Sequence, residues 1–299
     1  MTRRSPWVLR AAALLLALVA LIGVFADVLA SEAPLVARHR GTWLVLPAVT
    51  APAAWARVDR AELSAAVWAP LSADPNLGTN PATPARALAA TIHGARSIVV
   101  TTVGVLLIAL GLGVPLGALA GRLSFADSLL ARAVELSGAL PALVLLAALS
   151  AGHLGPSWLS LVLVLGVLRG VEVARLVRGE VLRVSGTDFV LAARALGGSP
   201  IGVTFRHVLP HVWGPVTVSA AFTASAVVTL EAALSFVGLG LPHAAPSWGR
   251  QLALMARGGG LAVGLGPAIA VVVTAGCAYL VADALDDRLS ARRAGPSRV

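Results

Sequence analysis

The sequence predicts an all-α polytopic membrane protein with about six transmembrane helices. Hydrophobic residues make up 58% of the 299 positions and charged residues only 12%, against about 25% in an average soluble chain. The mean hydropathy is +0.86, so lipid is the expected main solvent. Six apolar runs are long enough to cross a bilayer, which takes about 20 residues. They lie at about 11–30, 97–120, 133–151, 157–177, 212–237 and 262–282.

Each run is predicted to be a helix, because a segment in lipid must satisfy its own backbone hydrogen bonds. None shows the alternating pattern of barrel strands. Pro115 and Pro141 are expected to kink their helices. Glycines on the second run should let another helix approach closely: Gly104, Gly111, Gly113, Gly117 and Gly121.

The first run is predicted to be retained as an N-terminal anchor over residues 1–30. Arg3, Arg4 and Arg10 flank its start, which favours a cytoplasmic N-terminus. A cleaved signal peptide is the alternative, with residues 28–30 as its cleavage site. The run is longer than the about 7–15 residues of a signal core, which favours the anchor.

Residues 31–93 are predicted to form an external segment without long helices. Its tryptophans need either a small packed lobe or lipid headgroups, and both alternatives stay open. Prolines break any long helix here: Pro34, Pro47, Pro52, Pro70, Pro75, Pro81 and Pro84.

The remaining chain divides into a membrane core over 94–285 and a tail over 286–299. The net charge is +9 and every basic residue is Arg. These arginines lie mostly at the ends of apolar runs, as they do in cytoplasmic loops. We therefore predict a bacterial inner-membrane protein with both termini on the cytoplasmic side. The same placement argues against nucleic acid as a partner. Cys277, the single cysteine, can form no internal disulfide.

Residues from about 183 to 210 are predicted to form two short helices at the Arg-rich face. Ser185 and Asp188 are spaced as in a capping box, and Thr187 is a second N-cap candidate. Asp188 also suits the positive end of a helix.

A glycine turn should separate these two helices. Gly197 and Gly198 are expected to end the first helix. Ser199 and Pro200 then suit the N-cap and first position of the second. Pro210 is expected to end that second helix.

The surface of this segment combines small, apolar and basic side chains, more than a simple loop needs. It is therefore a candidate docking site for another protein. The predicted docking residues are Asp188, Leu191, Ala192, Ala193, Arg194, Gly197, Phe205, Arg206, Leu209 and Pro210.

The segment resembles the EAA loop of ABC importer permeases, with the pattern E-A-A-x-x-x-G, nine residues, then I-x-L-P. Leu191 stands at the Glu position and His207 at the Ile position. The matching residues are Ala192, Ala193, Gly197, Leu209 and Pro210.

A second stretch, residues 231–250, resembles the E-A-x-L-S-F-L-G-L-G and P-S-W-G runs of the dipeptide/oligopeptide/nickel permease branch. Residues 206–210 are similar to its R-H-I-L-P. The similarity covers about residues 93 to 290 and is closest to the second-permease, C-type branch. It implies a type I-like ABC importer permease fold.

The resemblance implies a permease subunit that imports di- or oligopeptides, nickel or a similar small solute. Its partners would be a related permease, cytoplasmic ABC ATPase subunits that dock on the EAA helix, and an external solute-binding protein. No cofactor is expected on this chain, and ATP and Mg would be used by the ATPase. The sequence contains no Lys, so it has no Walker A motif and is not expected to be an enzyme.

Two departures from the family weaken parts of this expectation. Leu191 removes a charged contact to the ATPase. The family's G-T-D-x-x-G-R-D survives only as residues 78–80, which puts the fit to a solute-binding protein in doubt.

Charged residues inside spans are candidates for the transport pathway or for structural pairs. They are Glu135, Arg169, Glu172 and Glu231. Arg169 and Glu172 could pair at i, i+3.

Hydroxyl side chains around the fifth span could face the pathway or bond between helices. The stripe is Thr217, Ser219, Thr223, Ser225 and Thr229, with Ser235 beyond it. His207 and His211 lack a third ligand, so no metal site is predicted.

Two rival functions stay open at this point. A transporter or channel driven by an ion gradient would need no ATPase, and a membrane scaffold would have lost transport altogether.

Overall fold

The computed structural model describes residues 6–30, 36–39, 42–45, 63–67, 84–139, 141–151, 157–242 and 245–294. Most of these residues are helical. The helices are α1 (Pro6–Val24), α2 (Ala26–Leu29), α3 (Pro84–Ala120), α4 (Ser124–Ala139), α5 (Ala142–Ala151), α6 (Trp158–Ser185), α7 (Asp188–Ala195), α8 (Pro200–Val203), α9 (Leu209–Val237), α10 (Trp248–Leu254) and α11 (Leu261–Ala294). Two π-helical segments, Thr204–Val208 and Met255–Gly259, follow α8 and α10.

Among the described helices, four are long and apolar enough to cross a membrane, or five if the bent pair α4 and α5 is one span. The four spans are Trp7–Val24, Ala87–Ala120, Thr204–Val237 and Leu261–Ala291. The fourth predicted run, at about 157–177, lies in α6, a 28-residue helix whose apolar part carries Arg169 and Glu172. The prediction of a multi-span helical membrane protein is confirmed.

The two prolines predicted to lie in kinked helices behave differently. Pro115 stays within α3. Pro141 separates α4 from α5, whose axes differ by 81°. The third predicted run is therefore divided between two helices at Pro141, because proline lacks the N–H that would continue the helix.

The chain divides into two compact units whose boundaries fall inside long helices. The first unit comprises Met1–Ala13, Thr101–Val228 and Ala275–Val299, and the second comprises Leu14–Val100 and Thr229–Thr274.

In the first unit, glycines let α3 and α6 approach closely. A Cβ at Gly113 would lie 2.7 Å from the carbonyl oxygen of Gly170, and one at Gly117 only 2.4 Å from that of Ala174. Gly121 and Gly166 are equally confined. The predicted small-residue packing is confirmed here, whereas Gly111 has no neighbour within 4 Å.

A cluster of valines forms the core at one end of the first unit. All are buried, and they come from α6, α7, α8, the first π segment and α9: Val173, Val177, Val181, Val184, Val190, Val203, Val208, Val212 and Val216. Branched side chains on facing helices therefore pack the two short helices directly onto the two long ones.

The second unit contains a small antiparallel sheet that the sequence analysis did not predict. Its strands β1 (Val36–His39), β2 (Thr42–Val45) and β3 (Leu63–Val67) lie in the order β2-β1-β3. Val36 pairs with Val45 on one side and with Val67 on the other. The prediction that Pro84 breaks a helix is wrong, because Pro84 is the first residue of the 37-residue helix α3, a position that proline favours. The pairing of β3 with β1 joins strands far apart in sequence. The predicted packing of Trp43, Trp55 and Trp68 lies outside the described side chains.

The end of the predicted anchor is tied to α3 within the second unit. Arg96 donates to Asp27 at 2.7 Å, and Nε2 of His93 lies 2.5 Å from the carbonyl oxygen of Ala30. Ala26, Ala30 and Ile92 are buried together beside these contacts.

Candidate functional site

The predicted docking segment begins directly where α6 ends. Thr187 occupies the N-cap position of α7 with extended backbone angles. Its hydroxyl donates 2.6 Å back to the carbonyl oxygen of Val184 and caps no N–H of α7. The predicted capping box with Ser185 is wrong, because Ser185 is the last residue of α6 and not the cap of α7. Asp188 is the first residue of α7 and is exposed.

The predicted glycine turn is confirmed. Gly197 has a φ of +85°, a left-handed conformation that glycine adopts without steric cost. The N–H of Gly198 donates to Ala193 at 3.1 Å. Ser199 then caps α8, since its hydroxyl accepts from the N–H of Gly202 at 3.1 Å.

The prediction that Pro210 ends the second short helix is wrong. The chain continues from α8 through the π segment Thr204–Val208 into α9, and Pro210 is the second residue of α9. The N–H of Leu209 bonds to the carbonyl oxygen of Thr204, five residues back. This wider turn relieves the clash of the proline ring with the preceding turn, so the helix passes through Pro210 unbroken.

Most of the predicted docking residues lie on the surface of the coupling loop, the name used here for residues 187–210. Leu191 is 49% exposed and Phe205 is 66% exposed, and Ala193 and Leu209 are half-buried. The other members are exposed: Asp188, Ala192, Arg194, Gly197, Arg206 and Pro210. Leu196, at 89%, is the most exposed large apolar side chain among the described residues.

The opposite side of the coupling loop is fully buried. Val190 of α7 and Val208 of the π segment are 0% exposed and belong to the valine cluster. Ala193 packs against the same cluster. A displacement of α7 would therefore be transmitted to α6 and α9 through close-packed side chains.

The two histidines near the coupling loop have structural contacts. The ring of His211 lies against that of Phe189, with centroids 5.1 Å apart, and its Nδ1 is 2.9 Å from the carbonyl oxygen of His207.

The predicted pair of charges on α6 is confirmed. Nη1 of Arg169 lies 2.7 Å from Oε2 of Glu172. Glu135, the charge predicted in the third span, is exposed on α4.

The Arg169–Glu172 pair lines a cavity of about 580 Å³ between α6, α9 and α11 in the first unit. Thr223 and Ser225 of the predicted polar stripe lie on its wall, and Ser225 also donates to the carbonyl oxygen of Ala275 at 2.8 Å. Other polar side chains on the wall are Glu180, Ser219 and Asp286.

Glu231 lies in the second unit, where it forms a buried hydrogen-bonded cluster. Its side chain is 2% exposed, and its Oε1 accepts from Ser235 at 2.7 Å and from Ser247 at 2.9 Å. The hydroxyl of Ser235 in turn accepts from the N–H of Leu241 at 3.2 Å. Thr229, another candidate from the sequence analysis, also has an interaction partner.

Arg250 completes this cluster by holding the backbone that leads to α10. Its guanidinium donates to the carbonyl oxygens of Leu241, Pro242 and Ala245 at 2.7 to 2.8 Å. Burial lowers the pKa of Arg250, and the negative charge of Glu231 opposes that shift. Gly249 is required beside it, because a Cβ there would lie 2.0 Å from the carbonyl oxygen of Ala232.

The sequence analysis gave no role to the residues of α10 that fasten it to α3. Trp248 donates from Nε1 to the carbonyl oxygen of Thr91 at 2.8 Å, and the hydroxyl of Thr91 is 3.2 Å from Oε1 of Gln251. A Cβ at Gly94 would collide with the Trp248 ring. The resemblance of residues 231–250 to the P-S-W-G run of the permease branch was the available signal for α10.

Three comparisons with known proteins agree with this geometry. A family model described as "Binding-protein-dependent transport system inner membrane component" matches residues 113–295. A candidate peptide transport system permease of Brucella suis biovar 1 (strain 1330) is 35% identical over 171 residues, 56% of each chain. The di/tripeptide transport system permease protein DppC of Pseudomonas aeruginosa (strain UCBPP-PA14) is 34% identical over 163 residues, 54% of each chain. The matched part thus spans about half the length of these curated relatives.

Solved structures support the fold alone. Chains from two crystal forms of the inward-facing MetNI methionine ABC transporter superpose with TM-scores of 0.54 and 0.55 at 18% and 20% identity. Each comparison covers 68% of this chain and 95% or 96% of that chain. Because the family model covers more than half of the chain, the protein belongs to the family of inner membrane components of binding-protein-dependent transport systems.

Proposed function

We propose that this chain is the transmembrane permease subunit of an ATP-driven ABC importer for di- or oligopeptides. The names of its Brucella and Pseudomonas relatives support the peptide cargo. In this proposal the protein lies in the bacterial inner membrane with both termini in the cytoplasm, since the arginines cluster on that side of its spans.

The observation that carries the proposal is the two-sided coupling loop. One side is buried in the valine cluster with α6 and α9, and the other exposes apolar and basic side chains. A cytoplasmic ATPase that binds the exposed side can move α6 and α9 as one rigid body. Rigid-body motion of that kind opens a path alternately to the two membrane faces.

ATP and Mg act on the ATPase partner in this scheme, and this chain is not an enzyme. A related permease forms the other half of the path, and an external solute-binding protein delivers the cargo. The cavity lined by Arg169 and Glu172 is proposed as this chain's share of the path, since charges inside membrane helices are retained chiefly where they serve transport or pair.

The proposal is tested by affinity purification of the tagged protein from its native membrane in mild detergent, with mass spectrometry of the bound proteins. We expect an ATPase and a second permease with the unaltered chain. Leu196→Arg should remove the ATPase and leave the second permease bound, because it places a charge at the most exposed apolar position of the coupling loop.

Leu182→Arg is the matched control, since Leu182 is an exposed leucine of α6 outside the coupling loop, and it should retain the ATPase. Purification of the chain alone, or with no ATPase under any condition, would contradict the permease proposal. Cargo uptake driven by an ion gradient without ATP would favour the rival transporter.

A further inference from the structure

A second cavity lies in the first unit, where the end of α3 meets the π segment of the coupling loop. Its volume is about 560 Å³. The lining is largely apolar and includes Pro115, Leu119, Leu123, Phe205 and Leu209. A cavity of this kind favours a hydrocarbon chain over water, because apolar walls offer water few hydrogen-bond partners.

Arg122 supplies the polar end of this cavity. Its Nε and Nη2 are buried and have no hydrogen-bond partner within the described part of the chain. Buried guanidinium nitrogens without an acceptor are unfavourable, so an anion bound at this end of the cavity would stabilise the site. Burial lowers the pKa of Arg122, and the positive charge of Arg194 lowers it further. Arg122 lines the cavity, and Arg194 is a second cation near enough for its charge to act on Arg122.

The nearest acidic side chain along the sequence is not available to Arg122. Asp127, five residues later, accepts from Nη2 of Arg178 at 2.8 Å. The anion that Arg122 requires is therefore not supplied by this neighbour.

An apolar cavity with a cationic end matches a ligand with the opposite pattern, a hydrocarbon chain ending in an anion. In the orientation proposed above, the end of α3 lies at the cytoplasmic surface of the membrane, where phospholipid headgroups are. Basic pockets between membrane helices on that side bind anionic headgroups.

We propose that this cavity binds one anionic phospholipid of the cytoplasmic leaflet. Its phosphate is held by Arg122 with Arg194 nearby, and an acyl chain lies along Leu119, Leu123 and Leu209. Because Phe205 and Leu209 also belong to the predicted docking surface of the coupling loop, the bound lipid contacts part of that surface. The inference depends on the proposed orientation but not on the cargo.

The test is native mass spectrometry of the purified full chain in detergent, titrated separately with phosphatidylglycerol and phosphatidylcholine of identical acyl chains. Both lipids carry a phosphate, but the choline cation of phosphatidylcholine cancels its charge, whereas phosphatidylglycerol keeps a net negative charge beside Arg122. We therefore expect phosphatidylglycerol to bind about tenfold more tightly. Arg122→Gln should abolish that preference. Arg132→Gln, which alters an exposed arginine of α4, should keep it.

Leu123→Asp provides a second variant at an exposed position of the cavity wall. Its carboxylate can satisfy Arg122 and should exclude the lipid without disturbing the core. Inorganic phosphate in excess should not displace the lipid, and full displacement by phosphate would show a simple anion site instead.

Equal binding of the two lipids, or an unchanged preference in Arg122→Gln, would overturn the proposal. These measurements use the chain without its ATPase, so their failure leaves the permease proposal intact.

Discussion

At the scale of single residues, Glu231 has the most demanding surroundings. A carboxyl group in a membrane helix is unfavourable unless its oxygens are hydrogen-bonded. Here the hydroxyls of Ser235 and Ser247 supply those bonds. Of the two roles the sequence left open, pathway or packing, these bonds favour packing between α9 and the segment before α10.

Replacing Glu231 should therefore lower the free energy of unfolding by more than the loss of its side-chain packing alone would. Glu231→Ala leaves two buried hydroxyls without their acceptor, which costs about 1–3 kcal/mol of unfolding free energy. Glu231→Gln keeps an acceptor oxygen and should lose less. Thermal unfolding in detergent measures both changes.

Glu172→Gln is the control, because the Glu172 side chain is 53% exposed and should change stability by less than about 0.5 kcal/mol. An equal loss in all three variants would mean that the buried cluster is not what stabilises this region.

Leu191 shows how a departure from a family pattern looks in the structure. It stands at the family's Glu position, is 49% exposed on α7 and points away from the valine cluster. The substitution thus alters the docking surface without touching the core.

At the scale of elements, the coupling loop depends on how closely α3 and α6 approach. α6 carries four of the nine valines of the cluster, and its distance from α3 is set by Gly113, Gly117 and Gly170. Helices in membranes gain stability mainly from such close contacts, since lipid gives no hydrophobic drive between them.

Gly117→Ala should destabilise the protein by about 1–3 kcal/mol through overpacking. The new Cβ would lie 2.4 Å from the carbonyl oxygen of Ala174, so α3 and α6 must move apart. Gly111→Ala on the same helix meets nothing within 4 Å. It should be neutral or stabilising by up to about 1 kcal/mol, because alanine favours a helix.

The two alanine variants should change the free energy of unfolding in opposite directions. Thermal unfolding of both variants in one detergent measures this difference. If Gly117→Ala were as stable as Gly111→Ala, the close approach of α3 and α6 would be ruled out.

At the scale of the whole molecule, the orientation in the membrane decides what each surface contacts. In the proposed orientation, the coupling loop, the cavity lined by Arg122 and the arginine-rich tail all lie on the cytoplasmic face. The segment over 31–93 belongs on the other face if both termini are cytoplasmic.

Cysteine labelling in intact cells tests this orientation. Cys277 is the single native cysteine, so Cys277→Ser gives a template without thiols. A membrane-impermeant maleimide should label Ser72→Cys from outside but not Ser199→Cys or Ser297→Cys. Both of the latter should be labelled once the membrane is opened.

External labelling at position 199 would invert the orientation. The coupling loop would then lie out of reach of a cytoplasmic ATPase, and both the permease and the lipid proposals would need to be abandoned.

The sequence by itself determined the features that depend on local chemistry. Apolar runs predicted the spans, since transfer into lipid acts on each segment separately. Gly197 and Ser199 predicted the turn of the coupling loop, because left-handed backbone and side-chain capping are local requirements. The spaced motifs pointed to the family that the comparisons then showed.

Only the tertiary structure decided the features that join distant residues. The acceptor role of Glu231 toward Ser247, the support of α7 by valines of α6 and α9, and the pairing of β3 with β1 depend on packing across the chain. Even Pro210, a strong local signal for a helix end, was overruled by a π turn continuous with α9. Local propensities are worth about 1 kcal/mol per residue, whereas buried contacts and close packing act on many residues together, so they decide where the two conflict.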